Sequence, residues 1–441
     1  MLRRFTLAAR CGKGEITAVE LKTQILDFGR RARAASRLLA QLPAARKNAA
    51  LLAMADEIVA RTATILAANE QDLTQARAHG LSGAMIERLT LDKQRVEAMA
   101  SGIRDVAALP DPVGEIIREW TSPNDLRISK VRVPIGVVGI IYESRPNVTS
   151  DAAVLCTKTG NATILRGGSE SIHSNLAIAA ALQEGGARAG LPNDSVLLIP
   201  STDREAVRLM AEMDRYIDLI IPRGGKALIE AVVSAARMPV IKHSDGICIV
   251  YVDKAADLDM AVEIAVNAKT QRPGVCNAIE TVLVHREVAP DFLRKLAPRF
   301  SEKKVELRAD ELTFGKLADL DYQPLRHAME EDWRTEFLDL ILAIRAVDSP
   351  EEAIAHVGQF GSHHSDCIVT RDEATAERFL REVDSATVYW NASTRFTDGG
   401  EFGFGAEIGI STDKLHVRGP MGLEELTTYK YAIRGAGQVR A

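Results

Sequence analysis

Apolar segments that alternate with helix-like segments over residues 135–252 constrain the fold of this chain most strongly. The first of them is apolar on both faces, as a parallel strand covered on both sides is. Parallel neighbours need a long crossover, which helices supply, so the pattern predicts a doubly wound parallel sheet. The strand-like segments are 135–142, 162–166, 195–199, 217–221 and 247–252, and the helix-like segments between them are 148–158, 169–183, 203–213 and 226–236.

A second series of the same kind follows residue 276 and predicts a second α/β domain. It is interrupted by a polar, less regular stretch that extends to residue 333. The strand-like segments are 279–284, 304–307, 366–370 and 387–390, and the helix-like segments are 290–300, 350–356 and 373–383.

The flanking regions predict helices and a small β structure. Residues 17–109 are rich in Ala, Leu, Arg and Glu, and their last helix carries an apolar stripe that we expect in the core. Residues 126–133 alternate apolar and polar side chains, and 426–433 are also strand-like. Residues 1–16 lack acids before Glu15; a loosely ordered extension is favoured over a weak organelle transit peptide.

Composition excludes several classes of protein. At 441 residues the chain is too long for one compact core and fits two domains. A net charge of -5 gives no reason to expect nucleic acid or an anionic membrane as a partner, and no apolar run could span a bilayer. The five cysteines form no CxxC or Cys/His pattern, so we expect neither a disulfide framework nor a metal, and a cytoplasmic location.

One cysteine stands in an unusual setting. Cys276 lies on a turn between a helix-like run and a strand-like run, and Lys269, Arg272 and Asn277 make its surroundings polar and basic. Rigid flanks and an accessible turn suit a nucleophile, and a thiolate is strongly nucleophilic near neutral pH. A small buried cysteine remains the alternative on local grounds.

Loops that follow parallel strands hold the ligands of such sheets, and two of these loops combine arginine with paired glycines. They are 166–169 and 222–226, and each opens a helix whose free N–H groups could hold phosphate. Glycine pairs also make ordinary tight turns, but two on one sheet edge favour a phosphate-bearing cofactor. No GxGxxG fingerprint is present.

Two further loops could serve the reaction. Asn147, after the buried strand, could donate a hydrogen bond to a developing oxyanion, although Pro and Asn also suit a simple turn. Arg395 and the glycines of 401–405 could line a pocket for an anionic substrate, with a plain surface loop as the competing interpretation.

These motifs, in this order, resemble the aldehyde dehydrogenase superfamily across nearly the whole chain, and within it the γ-glutamyl phosphate reductase family. The most specific is Lys-Thr-Gln-Arg-Pro-Gly-Val-Cys-Asn-Ala-Ile-Glu-Thr at 269–281, which resembles the catalytic-cysteine segment. The other segments that carry the resemblance are 142–149, 164–170, 221–225, 403–411 and 419–430.

The resemblance implies roles for individual residues. Cys276 would be the nucleophile, and Asn147 would hold the oxyanion together with the backbone N–H at Cys276. Arg166 stands where many relatives carry a lysine that contacts the cofactor ribose, and Glu336 where they hold the nicotinamide ribose. The residues that we expect to bind the cofactor are Arg166, Gly167, Gly168, Ser169, Arg223, Gly224, Gly225 and Glu336. The residues that we expect to bind an anionic substrate are Arg145, Arg272 and Arg395.

One departure from the superfamily pattern points to the reaction. Relatives that oxidise aldehydes to acids carry a glutamate in Glu-Leu-Gly-Gly that activates water, whereas 242–246 reads Lys-His-Ser-Asp-Gly. The resemblance therefore implies NADPH-dependent reduction of L-glutamate 5-phosphate through a thioester. A hydrolytic aldehyde dehydrogenase and a catalytically silent nucleotide-binding α/β protein remain as alternatives.

The predicted architecture is aldehyde dehydrogenase-like, with two doubly wound α/β domains and a small β oligomerisation arm. The ranges are a cofactor-binding domain at 1–250, to which 124–134 adds part of the arm, a catalytic domain at 251–390, and a return segment with the rest of the arm at 391–441. A homo-oligomer, a dimer or a dimer of dimers, is expected, as is a functional association with glutamate kinase.

Overall fold

The structure is a computed structural model that describes residues 18–242 and 245–440. The predictions for residues 1–16 therefore lie outside the described residues. The helices are α1 (Ala18–Leu39), α2 (Ala44–Ala60), α3 (Thr62–Ala78), α4 (Gly83–Leu89), α5 (Lys93–Ala108), α6 (Val148–Lys158), α7 (Ile172–Arg188), α8 (Glu205–Ala211), α9 (Lys226–Ala235), α10 (Leu258–Thr270), α11 (Ala289–Glu302), α12 (Glu311–Ala318), α13 (Pro350–Phe360) and α14 (Glu373–Glu382).

The strands form four sheets among the described residues. They are β1 (Ile116–Thr121), β2 (Arg127–Pro134), β3 (Val137–Tyr142), β4 (Ala162–Arg166), β5 (Val196–Leu198), β6 (Leu219–Arg223), β7 (Cys248–Val252), β8 (Ile279–His285), β9 (Glu306–Ala309), β10 (Leu325–His327), β11 (Ile341–Val347), β12 (Ser365–Val369), β13 (Thr387–Trp390), β14 (Ile410–Ser411), β15 (Gly419–Pro420) and β16 (Thr427–Arg434). Short 3-10 helices cover Ser169–Ser171, Glu330–Arg334, Thr394–Phe396 and Glu424–Leu426.

The first parallel sheet has the order β5-β4-β3-β6, as the strand and helix alternation predicts. Val138 and Ile140 of β3 face a core with α2, α5, α6 and α7, whereas Val137 and Ile141 face a core with α1, α8 and α9. Helices cover both faces, which explains why β3 is apolar throughout. The predicted apolar stripe of α5 is buried in the first of these cores, a confirmed prediction.

The second parallel sheet has the order β10-β9-β11-β8-β7-β12-β13. Helices α10, α11 and α12 pack on one face, and α13 and α14 on the other. The doubly wound α/β prediction is therefore correct. The predicted domain ranges stay a prediction, with the change from one sheet to the other falling between Arg223 and Cys248.

Three elements of the second sheet region are absent from the sequence predictions. Strand β11 is central, because it pairs with β8 on one side and β9 on the other. The stretch predicted to be irregular contains α12 and β10. Asp310 caps α12 by accepting the backbone N–H of Thr313, a helix start signal within that polar stretch.

The third sheet is antiparallel and has the order β1-β2-β16. Its strand β16 pairs with β2 from Thr427 opposite Pro134 to Arg434 opposite Arg127. The two strands predicted for the arm therefore pair with each other, and β1 adds an edge that the sequence pattern does not predict. No helix among the described residues is long and apolar enough to cross a membrane.

Candidate active site

Cys276 lies on the turn between α10 and β8, where it is partly exposed and its thiol is free. The turn is held by the segment that follows β13. Thr394 Oγ1 donates a 2.7 Å hydrogen bond to the carbonyl of Asn277, and the Asn277 amide donates to the carbonyl of Thr397 at 2.8 Å. Packing from a distant part of the chain therefore fixes the backbone beside the sulfur.

Gly246 makes the closest approach to the turn. A Cβ at this position would lie 2.2 Å from the carbonyl oxygen of Cys276 and 2.6 Å from Oε1 of Glu336. Only glycine fits there, so the segment before β7 packs directly against the turn. Cys248 adds a contact, because its thiol donates to the carbonyl oxygen of Cys276 at 3.2 Å. Sequence reasoning missed both residues.

A buried pair of opposite charges lies at the base of the turn. Lys269 Nζ, near the end of α10, is 2.5 Å from Oε2 of Glu280 on β8, and both side chains are fully buried. Burial raises the pKa of Glu280 to about 7, while the attraction of Lys269 opposes that rise. Glu280 Oε1 also accepts the backbone N–H of Leu338 at 3.3 Å. The pair connects both ends of the turn to the segment around Glu336.

Several arginines surround the turn without acidic partners. The guanidinium groups of Arg145, Arg223 and Arg272 make no ion pair or hydrogen bond with another described residue, and Arg395 bonds only to the Gln271 amide oxygen at 2.7 Å. Most other arginines of the described chain pair with carboxylates. These unpaired cations form a site suited to anions.

The arginines also perturb one another electrostatically. Burial lowers the pKa of Arg145 most, followed by the charges of Arg223, Arg88 and Arg272, while Cys276 raises it. The pKa of Arg395 is likewise lowered by burial first and then by Arg272. Thus the three predicted substrate residues come together around Cys276, and Arg88 joins them unpredicted.

Asn147 precedes α6 and is exposed, with one amide N–H already engaged. That N–H donates to Oδ2 of Asp151 at 2.8 Å, which orients the amide and leaves its second N–H available. Burial raises the pKa of Asp151 to about 6, whereas the hydrogen bonds from Asn147 and Ser150 lower it. The placement is compatible with an oxyanion donor, whose role stays a prediction.

The first glycine loop is tightly packed. Arg166 is buried at the end of β4, where Nη2 donates to the carbonyls of Thr202 and Asp203 at 3.1 and 3.3 Å. Its buried Nε has no hydrogen-bond partner among the described residues. A Cβ on Gly167 would lie 2.0 Å from Nδ2 of Asn175, so this loop tolerates only glycine there. Gly168 is also buried, and Ser169 starts a 3-10 turn before α7.

The second glycine loop is open. Gly225 N–H donates to Oε2 of Glu143 at 3.1 Å, and a Cβ at Gly225 would meet nothing within 4 Å. A Cβ on Gly224 would instead lie 2.4 Å from the same Glu143 oxygen. Arg223 lies against Gly409, where an added Cβ would be 2.5 Å from Nη1 of the arginine. An exposed glycine turn after β6 and an unpartnered buried Arg166 nitrogen at the end of β4 lie at the same edge of the parallel sheet, and both fit a phosphate-bearing cofactor.

Glu336, Gly246 and Lys242 complete the set of described residues that the sequence motifs predict near the site. Burial raises the pKa of Glu336, and its hydrogen bond from the Gly246 backbone lowers it. Lys242 is held by Asp413 through both its backbone N–H and its Nζ, at 3.1 and 3.0 Å. Among the described residues, no group of three or more His, Cys, Asp or Glu side chains could hold a metal ion.

Comparison with known proteins identifies a matching family and close relatives of this chain. The model of the aldehyde dehydrogenase family matches residues 18–323. The γ-glutamyl phosphate reductase of Moorella thermoacetica is 55% identical over 423 residues, which cover 96% of this chain and 99% of that protein. The enzyme of the same name from Geobacter metallireducens is 53% identical over 95% of this chain and 99% of that protein.

Solved structures agree with the sequence relatives. The crystal structure of γ-glutamyl phosphate reductase from Thermotoga maritima matches with a TM-score of 0.92 and 44% identity, covering 95% of this chain and 100% of that one. An acetylating aldehyde dehydrogenase from Geobacillus thermoglucosidasius shares the fold, with a TM-score of 0.70 at 18% identity over 96% of this chain and 99% of that one.

Proposed function

The chain belongs to the aldehyde dehydrogenase family and, within it, to the γ-glutamyl phosphate reductases, and we propose how its residues carry out their reaction. The reaction is the reduction of L-glutamate 5-phosphate to L-glutamate 5-semialdehyde with release of phosphate, a step of proline biosynthesis. One observation supports the assignment of the site most directly: arginines without acidic partners surround a partly exposed Cys276. A substrate that carries both phosphate and carboxylate matches that charge.

In the first step, the Cys276 thiolate attacks the acyl carbon of the substrate. The C–S bond forms, the C–O bond to phosphate breaks, and phosphate leaves with the electron pair, so a thioester remains on Cys276. Arg145, Arg272 and Arg395 hold the anionic groups of the substrate. Their cations also stabilise the phosphate as it takes up negative charge.

In the second step, the thioester becomes an aldehyde. The glycine loops 166–169 and 222–226 would hold a nicotinamide cofactor, which would supply the hydride for the acyl carbon. The oxygen of the resulting thiohemiacetal carries negative charge, which the free N–H of Asn147 and the backbone N–H of Cys276 stabilise. When the C–S bond breaks, the electron pair returns to sulfur, and Cys276 leaves as a thiolate ready for the next turnover.

The cofactor is proposed to be NADPH. Arg166 and Arg204 support this choice. Burial lowers the pKa of Arg166 most, the charges of Glu170 and Glu143 raise it, and the charge of Arg204 lowers it again, while the Arg204 guanidinium has no partner among the described residues. Two neighbouring cations at the end of β4 suit a 2′-phosphate. Replacing Arg204 by Ser should raise KM for NADPH and leave KM for NADH unchanged; equal effects on both would contradict the proposal.

A hydrolytic aldehyde dehydrogenase is the competing enzyme. Such an enzyme needs a carboxylate that activates water for attack on the thioester. The described residues of the corresponding segment include Lys242, which Asp413 holds by two hydrogen bonds, and Asp245, whose carboxylate is paired with Lys226. Oxidation of aldehydes without phosphate would support this competitor.

The direct test is phosphate-dependent reduction of NADP⁺ by glutamate 5-semialdehyde. Cys276→Ser should abolish turnover and leave cofactor binding intact, because serine is a far weaker nucleophile than a thiolate. Cys367→Ala is the matched control, since it removes a thiol that is buried in β12 and should keep the activity. Turnover by Cys276→Ser would refute the nucleophile, and a wild type that consumes no NADPH with fresh acyl phosphate would support a silent protein.

We also propose a homo-oligomer, a dimer or a dimer of dimers, assembled through the antiparallel sheet. Its edge strands β1 and β16 expose apolar side chains, with Ile116 at 55%, Tyr431 at 53% and Ile433 at 57%. An exposed apolar strand edge is normally covered. Ile433→Glu should shift the mass in solution towards the monomer, and an unchanged mass would contradict this interface.

Two further proposals concern the setting of the enzyme. Acyl phosphates hydrolyse readily, so a functional association with glutamate kinase, which makes this substrate, would limit its loss. A cytoplasmic location is proposed because the mechanism requires Cys276 to stay reduced.

A further inference from the structure

Arg88 lies on one of the N-terminal helices and approaches the turn that carries Cys276. This turn, residues 271–278 between α10 and β8, is called the catalytic turn below. It lies on α4, and a Cβ on Gly274 would be 3.5 Å from its Nη2 atom. The helix is fixed at both ends, since Ser82 caps its first turn and Leu89 is buried against α3. Arg88 is therefore presented to the turn by an anchored element, although its side chain is exposed.

The charge of Arg88 has no acidic partner. Its guanidinium makes no ion pair or hydrogen bond with any residue that the structure describes, whereas the nearby exposed Arg95 and Arg104 pair with Glu87 and Asp56. Its electrostatic neighbour is another cation, Arg145. Like charges held together are unfavourable, and an anionic ligand between them would relieve the repulsion.

The length of the substrate matches the position of Arg88. Gly274 and Cys276 are two residues apart, so their Cα atoms are separated by at most about 7 Å. With C–C bonds of about 1.5 Å, the C5 atom and the C1 carboxylate of an extended glutamate skeleton are about 5 Å apart. When C5 is at the Cys276 sulfur, the carboxylate can therefore lie over Gly274.

The other arginines are closer to the reacting carbon. Arg145 and Arg395 both interact electrostatically with Cys276, whereas Arg88 approaches the turn at Gly274. Phosphate is attached to C5 and must lie beside the sulfur, which assigns it to the first two arginines. We propose that Arg88 binds the α-carboxylate of the substrate and thereby selects acyl phosphates of amino acids of this length. This assignment rests on the proposed function and deepens it.

Steady-state kinetics of the wild type, Arg88→Ala and Arg88→Lys test the proposal in the direction of semialdehyde oxidation, with phosphate and NADP⁺. Loss of a charge-assisted hydrogen bond at a partly open site should raise KM for glutamate 5-semialdehyde about tenfold in Arg88→Ala. We expect kcat within about twofold of wild type and KM for inorganic phosphate unchanged. Arg88→Lys should restore part of the affinity, because it keeps the positive charge.

Arg37→Ala is the matched control, because Arg37 is also exposed, near a helix end and without an ion pair to a described residue. It should leave every constant unchanged. NADP⁺ binding and the melting temperature report whether each variant is folded. An Arg88→Ala variant that unfolds while Arg88→Lys matches wild type in KM would overturn the proposal.

Other results would also overturn it. An unchanged KM for the semialdehyde in Arg88→Ala would remove Arg88 from the site, and a raised KM for phosphate would assign it to the other end of the substrate. In both cases the wild type still turns over, so the proposed function stands. A wild type without phosphate-dependent turnover would refute the proposed function itself and this assignment with it.

Discussion

Replacing Lys269 by Met tests the account of how the catalytic turn is held. The change removes the ammonium group that pairs with Glu280. The side chains of Lys269 and Glu280 are 0% and 1% exposed, and Lys269 Nζ lies 2.5 Å from Glu280 Oε2. Breaking a buried pair typically costs about 3–5 kcal/mol, because the remaining charge is uncompensated. Lys295 and Asp259 form a control pair with 2.6 Å between them, but their side chains are 46% and 82% exposed. Lys295→Met should cost about 1 kcal/mol or less.

The loss from Lys269→Met should depend on pH. Burial raises the pKa of Glu280 to about 7, and removing the opposing attraction of Lys269 should raise it further. A carboxyl group whose pKa is raised on folding contributes stability at low pH, and this contribution is lost as the pH rises through the folded pKa. At pH 6 Glu280 is neutral and the loss should be small. Above pH 7, where Glu280 ionises in the wild type but stays neutral in the variant, the loss should grow by no more than about 1.4 kcal/mol per pH unit and reach about 3 kcal/mol at pH 9.

Urea unfolding followed by tryptophan fluorescence at pH 6, 7.5 and 9 measures these free energies. The same samples report activity, which should fall because Glu280 also holds the backbone N–H of Leu338. An equal loss of stability at all three pH values would refute the reasoning. So would a loss at pH 9 in Lys269→Met no larger than that in Lys295→Met.

Three other substitutions give separate tests. Gly246→Ala places a Cβ 2.2 Å from the carbonyl oxygen of Cys276, so the displaced turn should lower kcat about 100-fold while NADP⁺ still binds; a wild-type kcat would show that the contact is not needed. Asn147→Ala removes the proposed oxyanion donor and should lower kcat by about 100-fold with little change in KM, and a changed KM alone would assign Asn147 to binding instead. Asp366 is fully buried, and burial raises its pKa to about 7. Between pH 5 and that pKa the unfolded carboxyl is ionised while the folded one stays protonated, so the wild type should lose about 3 kcal/mol of unfolding free energy relative to Asp366→Asn, with no further loss above pH 8. Unfolding curves of the two proteins with the same pH dependence would contradict that last prediction.

Much of the fold follows from local patterns in the sequence. Helix α6 and strand β4 have the bounds that the sequence pattern predicts, and nearly all of their residues are buried. Strand β1 reads Ile-Ile-Arg-Glu-Trp-Thr and is an exposed edge strand whose apolar and polar residues do not alternate, so the pattern does not predict it. Strand β11 does carry a buried-strand signal, with Arg345 the one charged residue in Ile341–Val347, but the polar stretch before it hid the start.

The site is less predictable, since its contacts are between residues far apart in the chain. The cysteine turn, the glycine loops and three of the arginines have local signals. The approach of Gly246 to Cys276 spans two segments that only the second sheet brings together. Arg88 belongs to a helix with no motif, and its proximity to Gly274 is visible only in three dimensions.

The central claim is that Cys276 carries the substrate as a thioester. The most direct measurement mixes the enzyme with acyl phosphate made by glutamate kinase, without any nicotinamide cofactor, and maps the quenched protein by peptide mass spectrometry. The account predicts one glutamyl group on the peptide that contains Cys276, removed on addition of NADPH and absent in Cys276→Ser. Acylation of another cysteine, or turnover without any adduct on Cys276, would contradict it.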